Sequence, residues 1–238
     1  MDKQNGTFTN LFSRNQSEAL KSNGAIPKPD GRSEKASSWS IADVSDELAG
    51  KTCIFGVGRP GCKTINYIAE KEHKGITLMA LDADENALFD CSCQTRFKLR
   101  EVPSGSEREA AFEESLKKTM AFIKDFQRVY IVCGLGGVVG SEASVILAKL
   151  ARNQGILVKI VASYPFSFEG SISRRNADRL IEKVKPGNIP FKLFSNDDLL
   201  SDIGERESVA ESLQRMNEWI YQHIIKDMVG KAVDFIII

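Results

Sequence analysis

The sequence has no long apolar run and no excess of either charge, and these two absences exclude several classes of protein. No apolar stretch reaches the roughly 18 residues that a membrane-spanning helix needs, and the N-terminus lacks the apolar core of a signal peptide. The 32 Lys and Arg residues balance 32 Asp and Glu residues, and no basic cluster stands out. We therefore predict no membrane span and no nucleic-acid partner.

Cysteine and histidine are also scarce. The five cysteines are an odd number, and two of them fall in apolar runs that predict buried strands. This usage favours reduced thiols in a cytoplasmic protein over a disulfide framework. Cys91 and Cys93 have no matching pair of Cys or His elsewhere, so we predict no metal site. The two histidines, His73 and His223, are expected at the surface and form no convincing catalytic pair with an acid.

Three regions of different composition divide the chain. Residues 1–37 are rich in Asn, Ser, Lys, Gly and Gln, and they predict a disordered tail because they cannot bury enough apolar surface. Residues 38–51 predict a linker with a short docking element, because apolar residues return there at helical spacing. Residues 52–238 predict one folded domain.

Within this domain, short apolar runs alternate with amphipathic stretches. The predicted strands begin at Thr52 and then occupy 76–84, 129–133, 156–162, 191–194 and 233–238. The predicted helices occupy 64–71, 107–127, 141–153, 173–184 and a long segment that starts near Val209. Strands that alternate with helices predict an α/β fold, namely a Rossmann-like parallel sheet with helices on both faces.

Two glycine-rich loops follow two of the predicted strands. The first is GVGRPGCKT, residues 56–64, and the second runs from Gly134 to Ser141 at the start of a helix. Glycines let the backbone approach a phosphate, and the first N–H groups of a helix attract an anion. Because the carboxyl ends of parallel strands share one edge, we expect both loops, Asp82 and Asn196 to form one nucleotide cleft.

The first loop leaves other interpretations open. Its G-x-G-x-x-G spacing fits a dinucleotide-binding fingerprint, with Asp82 or Asp84 about twenty residues further on as the acid for a ribose. Lys63 and Thr64 match the end of a Walker A loop, but Cys62 stands where its second glycine should be. A tight βα packing turn would explain the same glycines without any ligand.

The second half of the chain carries a more specific pattern. The segment VYIVCGLGGVVGSEASVILAKL is followed by SYPFSFEG at 163–170 and by SNDDLL at 195–200. In this register, residues from about Thr52 to Phe235 resemble the GTPase domain of the FtsZ/tubulin family, the FtsZ branch in particular. GVGRPGCKTINYI and LDADENAL resemble the family's first two loops. The resemblance implies a cytoplasmic protein that binds GTP or GDP, and it leaves the role of Mg²⁺ open.

The resemblance also implies a role for each residue that matches the family's nucleotide site. Glu169 matches the acid that contacts the ribose, and Asn196 matches the Asn of the purine-binding loop. Several glycines of the family's first loop are replaced here, and Arg59 and Lys63 in this loop would serve as cationic partners of a phosphate. The full predicted set is Gly58, Arg59, Gly61, Lys63, Asp82, Gly134, Gly136, Gly137, Gly140, Ser141, Glu169, Arg174 and Asn196.

The chain departs from the family pattern in its phosphate loops. Two valines replace a glycine and a hydroxyl residue of the signature loop, and Glu142 replaces its last glycine. A carboxylate at that helix start would repel a phosphate unless it points away. The γ-phosphate loop is reduced to about 102–106, and two base-facing positions of the long helix hold Arg206 and Ala210.

The hydrolytic loop differs most. The family completes hydrolysis with N-x-D-x-x-D, which enters the nucleotide site of the next subunit, and the matching positions here hold Ala232, Asp234 and Ile237. Asp234 is therefore a degenerate catalytic residue without its partners, and no segment matches the family's second domain. We expect a weakly nucleotide-binding interaction or regulatory module that forms no filament and docks on a full-length FtsZ-like protein or another protein. The alternatives are a GTPase completed in trans by such a partner and a Rossmann-type dinucleotide-binding protein.

Overall fold

A computed structural model describes residues 40–71, 73, 75–100, 106–184, 188–200, 208–231 and 233–237. The predicted tail, most of the shortened loop at 102–106, Arg206 and Ala232 lie outside these residues. All the described residues belong to one structural unit, Trp39–Ile238.

In the described part of the chain, seven strands form one sheet in the order β3–β2–β1–β4–β5–β6–β7. The strands are β1 (Thr52–Val57), β2 (Thr77–Asp82), β3 (Thr95–Lys98), β4 (Arg128–Gly134), β5 (Leu157–Tyr164), β6 (Pro190–Ser195) and β7 (Ile236–Ile237). Neighbouring strands from β3 to β6 run parallel, and β7 pairs antiparallel with β6. The predicted α/β fold with a parallel sheet is confirmed.

Eight α-helices flank this sheet in the described residues. They are α1 (Asp46–Gly50), α2 (Gly58–Ala69), α3 (Glu85–Phe89), α4 (Ser106–Ile123), α5 (Val138–Asn153), α6 (Ser171–Val184), α7 (Asn196–Leu200) and α8 (Val209–Met228). Helices α4, α5 and α6 contribute to one buried apolar cluster, and α1, α2 and α8 contribute to another. The sheet lies between the two clusters, as a parallel sheet covered on both faces requires.

The central strand β1 shows why the sequence forms such a sheet. All six of its residues are buried. Cys53, Phe55 and Val57 belong to one cluster, and Ile54 belongs to the other. A strand that is buried on both faces needs a continuous apolar run instead of an alternating pattern, and TCIFGV supplies that run.

The segment before β1 lies against the second cluster. Val44 and Ala49 are buried there, and Ser45 caps α1 by accepting the Leu48 N–H. Thr52 Oγ1 donates to Leu48 O at 2.7 Å, which ties the end of this segment to the start of β1.

Several boundaries differ from the sequence predictions. Helix α2 begins at Gly58 instead of Thr64, because proline is accepted in a first helical turn, where its missing N–H has no intrahelical partner. Strand β3 and the short helices α3 and α7 were not predicted. The surface position expected for His223 is wrong: only 8% of this residue is exposed, since the rings of Phe194 and Phe235 lie against its imidazole.

Cys53, Cys62, Cys91, Cys93 and Cys133 are all free thiols and all buried. Among the described residues, no helix combines the length and the apolar character needed to cross a membrane.

Candidate functional site

A cleft of about 550 Å³ lies at the carboxyl ends of the central strands. The chain continues from β1 toward β2 and β3 in one direction, and from β4 toward β5 and β6 in the other. Loops that leave adjacent strands in opposite directions leave a crevice between them, which is where open α/β sheets bind ligands. The cleft is lined by the start of α2, the loop after β4, the loop after β5, the start of α7 and one face of α8.

The glycines of the first loop hold α2 against the sheet. A Cβ on Gly61 would lie 2.5 Å from Val132 O, and a Cβ on Gly56 would lie 2.5 Å from Gly61 O. Gly58 has a positive φ of 75°, and its Cβ would lie 3.1 Å from the main-chain nitrogen of Gly140. None of these glycines lines the cleft, so their main contribution is close packing of backbone on backbone.

The side chains of the same loop do reach the cleft. Arg59, Pro60 and Lys63 all line it. Arg59 and Lys63 are four residues apart on α2, so they lie on one face of the helix. The first loop therefore presents two cations and a proline ring to the cleft.

The middle of the second loop is open to the cleft. Gly134, Gly136 and Gly137 line it, and a Cβ on Gly137 would meet no atom within 4 Å. Gly137 is the N-cap residue of α5, and it makes no side-chain capping hydrogen bond. The first N–H groups of α5 are thus a ready site for an anion.

The far end of the second loop is structural. A Cβ on Gly140 would lie 2.2 Å from Gly134 O, so only glycine fits where the helix crosses the strand end. Ser141 is buried, and its hydroxyl donates to Leu135 O. Both residues fix the shape of the loop without lining the cleft.

Glu142 points away from the cleft. Its carboxylate lies 3.7 Å from Arg108 Nη1 on α4, and both side chains are largely buried. This ion pair compensates the charge that would otherwise repel a phosphate at the start of α5.

The loop after β5 supplies an acid and two aromatic rings. Phe166, Phe168 and Glu169 line the cleft, and the two phenyl rings stack with centroids 4.7 Å apart. The Phe166 N–H donates to Glu169 Oε1 at 2.9 Å, which fixes the carboxylate at the cleft wall. Gly170 follows with a positive φ of 92°, the backbone turn that leads into α6.

Asn196 lines the cleft at the first position of α7. Only 7% of the residue is exposed, and its Oδ1 has no hydrogen-bond partner among the described residues. An unpaired buried acceptor of this kind costs about 1–3 kcal/mol, so the position suits a donor from a bound molecule.

Arg174 and Asp82, two predicted site residues, do not line the cleft. Arg174 Nη2 lies 3.6 Å from Asp197 Oδ2 and links α6 to α7. Asp82 is 4% exposed, its Oδ1 accepts the Asp84 N–H at 3.1 Å, and burial raises its pKa. The residue of the β2 loop that reaches a cleft side chain is Asp84, which binds Arg59 Nη2. The Arg59 guanidinium lowers the pKa of the Asp84 carboxyl.

One face of α8 closes the cleft, and the residues that line it were not among the predicted site residues. Val209, Leu213, Met216 and Ile220 line it, and Asn217 lies among them. Thr64 Oγ1 donates to Asn217 Oδ1 at 2.7 Å, which joins α8 to α2. The signal in the sequence is a polar residue on an otherwise apolar helical face. Ala210, a predicted base-facing position, is exposed and lies outside the cleft lining.

Asp234 lies away from the cleft. It borders a separate depression of about 320 Å³ at the β6 edge, together with Lys192, His223 and Lys226. Ile237 pairs with Pro190 in the sheet. No residue that lines this depression also lines the cleft.

Comparison with known proteins identifies the family of the chain. Residues 51–204 match the model of the Tubulin/FtsZ family, GTPase domain. The chain is 31% identical over 168 residues to cell division protein FtsZ 1 of Archaeoglobus fulgidus, a match that covers 67% of this chain and 46% of that protein. It is 30% identical over 155 residues to cell division protein FtsZ of Aquifex aeolicus, covering 62% of this chain and 42% of that protein. The chain thus spans about half the length of the curated relatives it matches.

Solved structures show the same fold. An empty FtsZ dimer from M. jannaschii aligns with a TM-score of 0.64 and 21% identity, over 77% of this chain and 57% of that chain. A GTPγS-bound protofilament of CetZ2 from Haloferax volcanii aligns with a TM-score of 0.63 and 23% identity, over 77% and 60%. Because the family model matches more than half of the sequence, this chain belongs to the tubulin/FtsZ family of GTPase domains.

Proposed function

We propose that this chain binds a guanine nucleotide, GTP or GDP, in the cleft between the ends of β1 and β4. The main support is that this one cleft combines the uncapped N-terminus of α5, two cations on α2 and the unpaired Oδ1 of Asn196. The helix N-terminus and the two cations suit a phosphate chain, and the Asn196 oxygen suits a purine with N–H donors on its edge. The family membership supports the guanine base in particular.

Each part of the nucleotide has a matching part of the wall. The phosphates lie against Gly136, Gly137 and Lys63, where N–H groups and a cation meet the open part of the second loop. Glu169 accepts hydrogen bonds from the ribose hydroxyls, and Asn196 pairs with the base edge. The apolar face of α8 covers the base.

We further propose that hydrolysis by the isolated chain is slow or absent and that the chain serves as an interaction or regulatory module. The single acid that remains of the family's hydrolytic pattern, Asp234, borders the β6 edge and not the cleft of its own chain. Among the described residues, Glu169 is the one carboxylate that lines the cleft, and its proposed role is to bind the ribose hydroxyls. A full-length FtsZ-like protein is the expected partner.

Calorimetric titration with GTP, GDP and ATP, together with a phosphate-release assay, tests this proposal. We expect binding of both guanine nucleotides, weaker binding of ATP and little release of phosphate. Asn196→Ala should weaken GDP binding about tenfold, whereas Asn153→Ala, an exposed site at the end of α5, should not. Absence of binding would overturn the nucleotide site, and rapid phosphate release by the chain alone would overturn the non-catalytic part.

A GTPase completed in trans is the second candidate. Asp234 is exposed and lies outside its own cleft, so its carboxylate is accessible to a second protein. Adding a full-length FtsZ relative should then raise turnover, and Asp234→Asn should remove the gain. Asp125→Asn, which neutralises an exposed acid elsewhere, serves as the control. Equal turnover with and without the partner would exclude this candidate.

A further inference from the structure

The first loop lines the cleft with Arg59, Pro60 and Lys63, and none of its glycines lines it. Pro60 has no N–H, and its ring lies so close to Gly134 that a Cβ there would be 2.7 Å from Pro60 Cγ. The backbone of Gly61 is packed against Gly56 and Val132. The charged side chains of this loop that can contact a phosphate are Arg59 and Lys63, which both line the cleft.

The two cations differ in whether an acidic side chain already binds them. Arg59 lines the cleft, but its Nη2 is bound to Asp84 Oδ2. Lys63 lines the same cleft and has no ion pair with any of the described residues. A phosphate that enters the cleft meets a free ammonium group at Lys63 and a guanidinium at Arg59 that is already occupied.

We propose that Asp84 competes with the nucleotide phosphates for Arg59 and so sets the affinity of the site. The inference rests on the proposed nucleotide site, and it adds a regulatory contact to that site. In the free protein Arg59 is held by Asp84. When the phosphates bind, Arg59 leaves the Asp84 carboxylate and binds two phosphate oxygens. Two such oxygens match the planar guanidinium group better, because they can accept two parallel hydrogen bonds.

The exposure of the pair makes this exchange feasible. The side chain of Arg59 is 66% exposed and that of Asp84 is 33% exposed. Exposed ion pairs contribute little net stability, because water screens both charges and ordering the two side chains costs entropy. A phosphate can therefore displace Asp84 from Arg59, but the need to break this ion pair lowers the affinity of the cleft for the phosphate. Removal of the Asp84 charge should tighten phosphate binding by roughly fivefold.

The chain offers a variant that separates this role from folding. Asp84 is also the N-cap residue of α3, because its Oδ1 accepts the Asn86 N–H at 2.9 Å. Asp84→Asn removes the charge and keeps a good N-cap. Glu85→Gln is the matched control, since Glu85 is adjacent, pairs with Lys98 and does not line the cleft.

The experiment measures binding of GDP, guanosine and inorganic pyrophosphate by calorimetry in a buffer free of divalent cations. We expect Asp84→Asn to bind GDP and pyrophosphate about fivefold more tightly than the unmodified protein, with guanosine unchanged. Glu85→Gln should match the unmodified protein for all three ligands. In the Arg59→Met background, Asp84→Asn should give no gain, because the residue for which Asp84 competes is gone.

The outcomes distinguish this inference from the nucleotide proposal. GDP binding that is equal or weaker in Asp84→Asn would overturn the competition and leave the nucleotide site intact. Tighter pyrophosphate binding with no GDP binding would support the competition and overturn the guanine site. A gain that persists without Arg59, an equal gain in Glu85→Gln, or no binding of either phosphate ligand would also overturn it.

Discussion

In the loop after β1, a Cβ on Gly61 would come within 2.5 Å of a main-chain oxygen, whereas on Gly137 in the loop after β4 it would meet nothing within 4 Å. Both loops follow a buried strand and both contain the start of a helix. The glycines of the first loop allow two backbones to touch. In the second loop, the middle faces the cleft and the ends are packed. A glycine in such a loop is therefore evidence for a ligand only where the space beside it is open.

The same difference divides the chemistry between the two loops. The first loop contributes side-chain charge through Arg59 and Lys63, which line the cleft, whereas its glycines do not line it. The second contributes main-chain N–H groups at the uncapped start of α5. Removing a cation of the first loop should weaken phosphate binding, and a side chain that obstructs the second loop should weaken it more strongly.

The largest expected effect is on a packed glycine. Gly140→Ala should lower the free energy of unfolding by about 3 kcal/mol, because its Cβ would lie 2.2 Å from Gly134 O and the backbone must shift. Gly137→Ala should stay within about 0.5 kcal/mol of the unmodified protein. Urea denaturation measures both. Similar stability of the two variants would remove the distinction between packed and open glycines.

The next effect defines the pH range in which these variants can be compared. Burial lowers the pKa of His223 from its ordinary 6.5 to about 4, and nearby Lys192 and Lys159 act in the same direction, against Asp227 and Asp234. The folded state binds a proton at His223 more weakly than the unfolded state does. The free energy of unfolding is therefore highest, as far as His223 is concerned, above about pH 6.5, and it decreases as the pH falls toward 4. We expect the free energy of unfolding to fall by about 2 kcal/mol over this range. This is less than the full pKa shift implies, since His223 borders an open depression.

The matched variant for this effect is His223→Gln, which has no titrating group. Urea denaturation between pH 7 and pH 4.5 should show a smaller fall in stability for this variant than for the unmodified protein. Equal slopes would mean that other groups cause the acid sensitivity.

A smaller effect is expected from filling the open position. Gly137→Val should weaken GDP binding about tenfold, because the side chain would occupy the space next to the first N–H groups of α5. The backbone at Gly137, with φ −91° and ψ 153°, accepts a β-branched residue, so thermal stability should be retained. Gly50→Val, another open glycine outside the cleft, is the control. Unchanged GDP affinity in Gly137→Val would contradict the anion site.

The smallest effect tests the charge of the first loop. Lys63→Met should weaken GDP binding about fivefold at low salt and leave guanosine binding unchanged, because the lost contact is to phosphate. The difference from the unmodified protein should shrink as salt increases. Lys149→Met, an exposed lysine on α5, controls for net charge. A loss of guanosine binding in Lys63→Met would indicate a disturbed cleft.

Most of the sheet could be predicted because strands buried on both faces leave continuous apolar runs, as β1 and β4 do. Strand β3 could not, because this edge strand, Thr95–Lys98, carries one large apolar residue. For the site, Gly134–Gly137 and Asn196 could be located from local pattern. The Thr64–Asn217 contact could not, since its residues are 153 positions apart and meet only when α8 docks on α2.

Sequence alone determined the family resemblance, the α/β sheet and the two loops at its carboxyl edge, because these depend on the order of residues within one strand, turn or helix. Tertiary structure decided which glycines are open, that Glu142 turns to Arg108, and that Arg59 is held by Asp84. The physical reason is that the direction and charge environment of a side chain are set by what packs beside it. In this protein those neighbours come from segments far away in the chain.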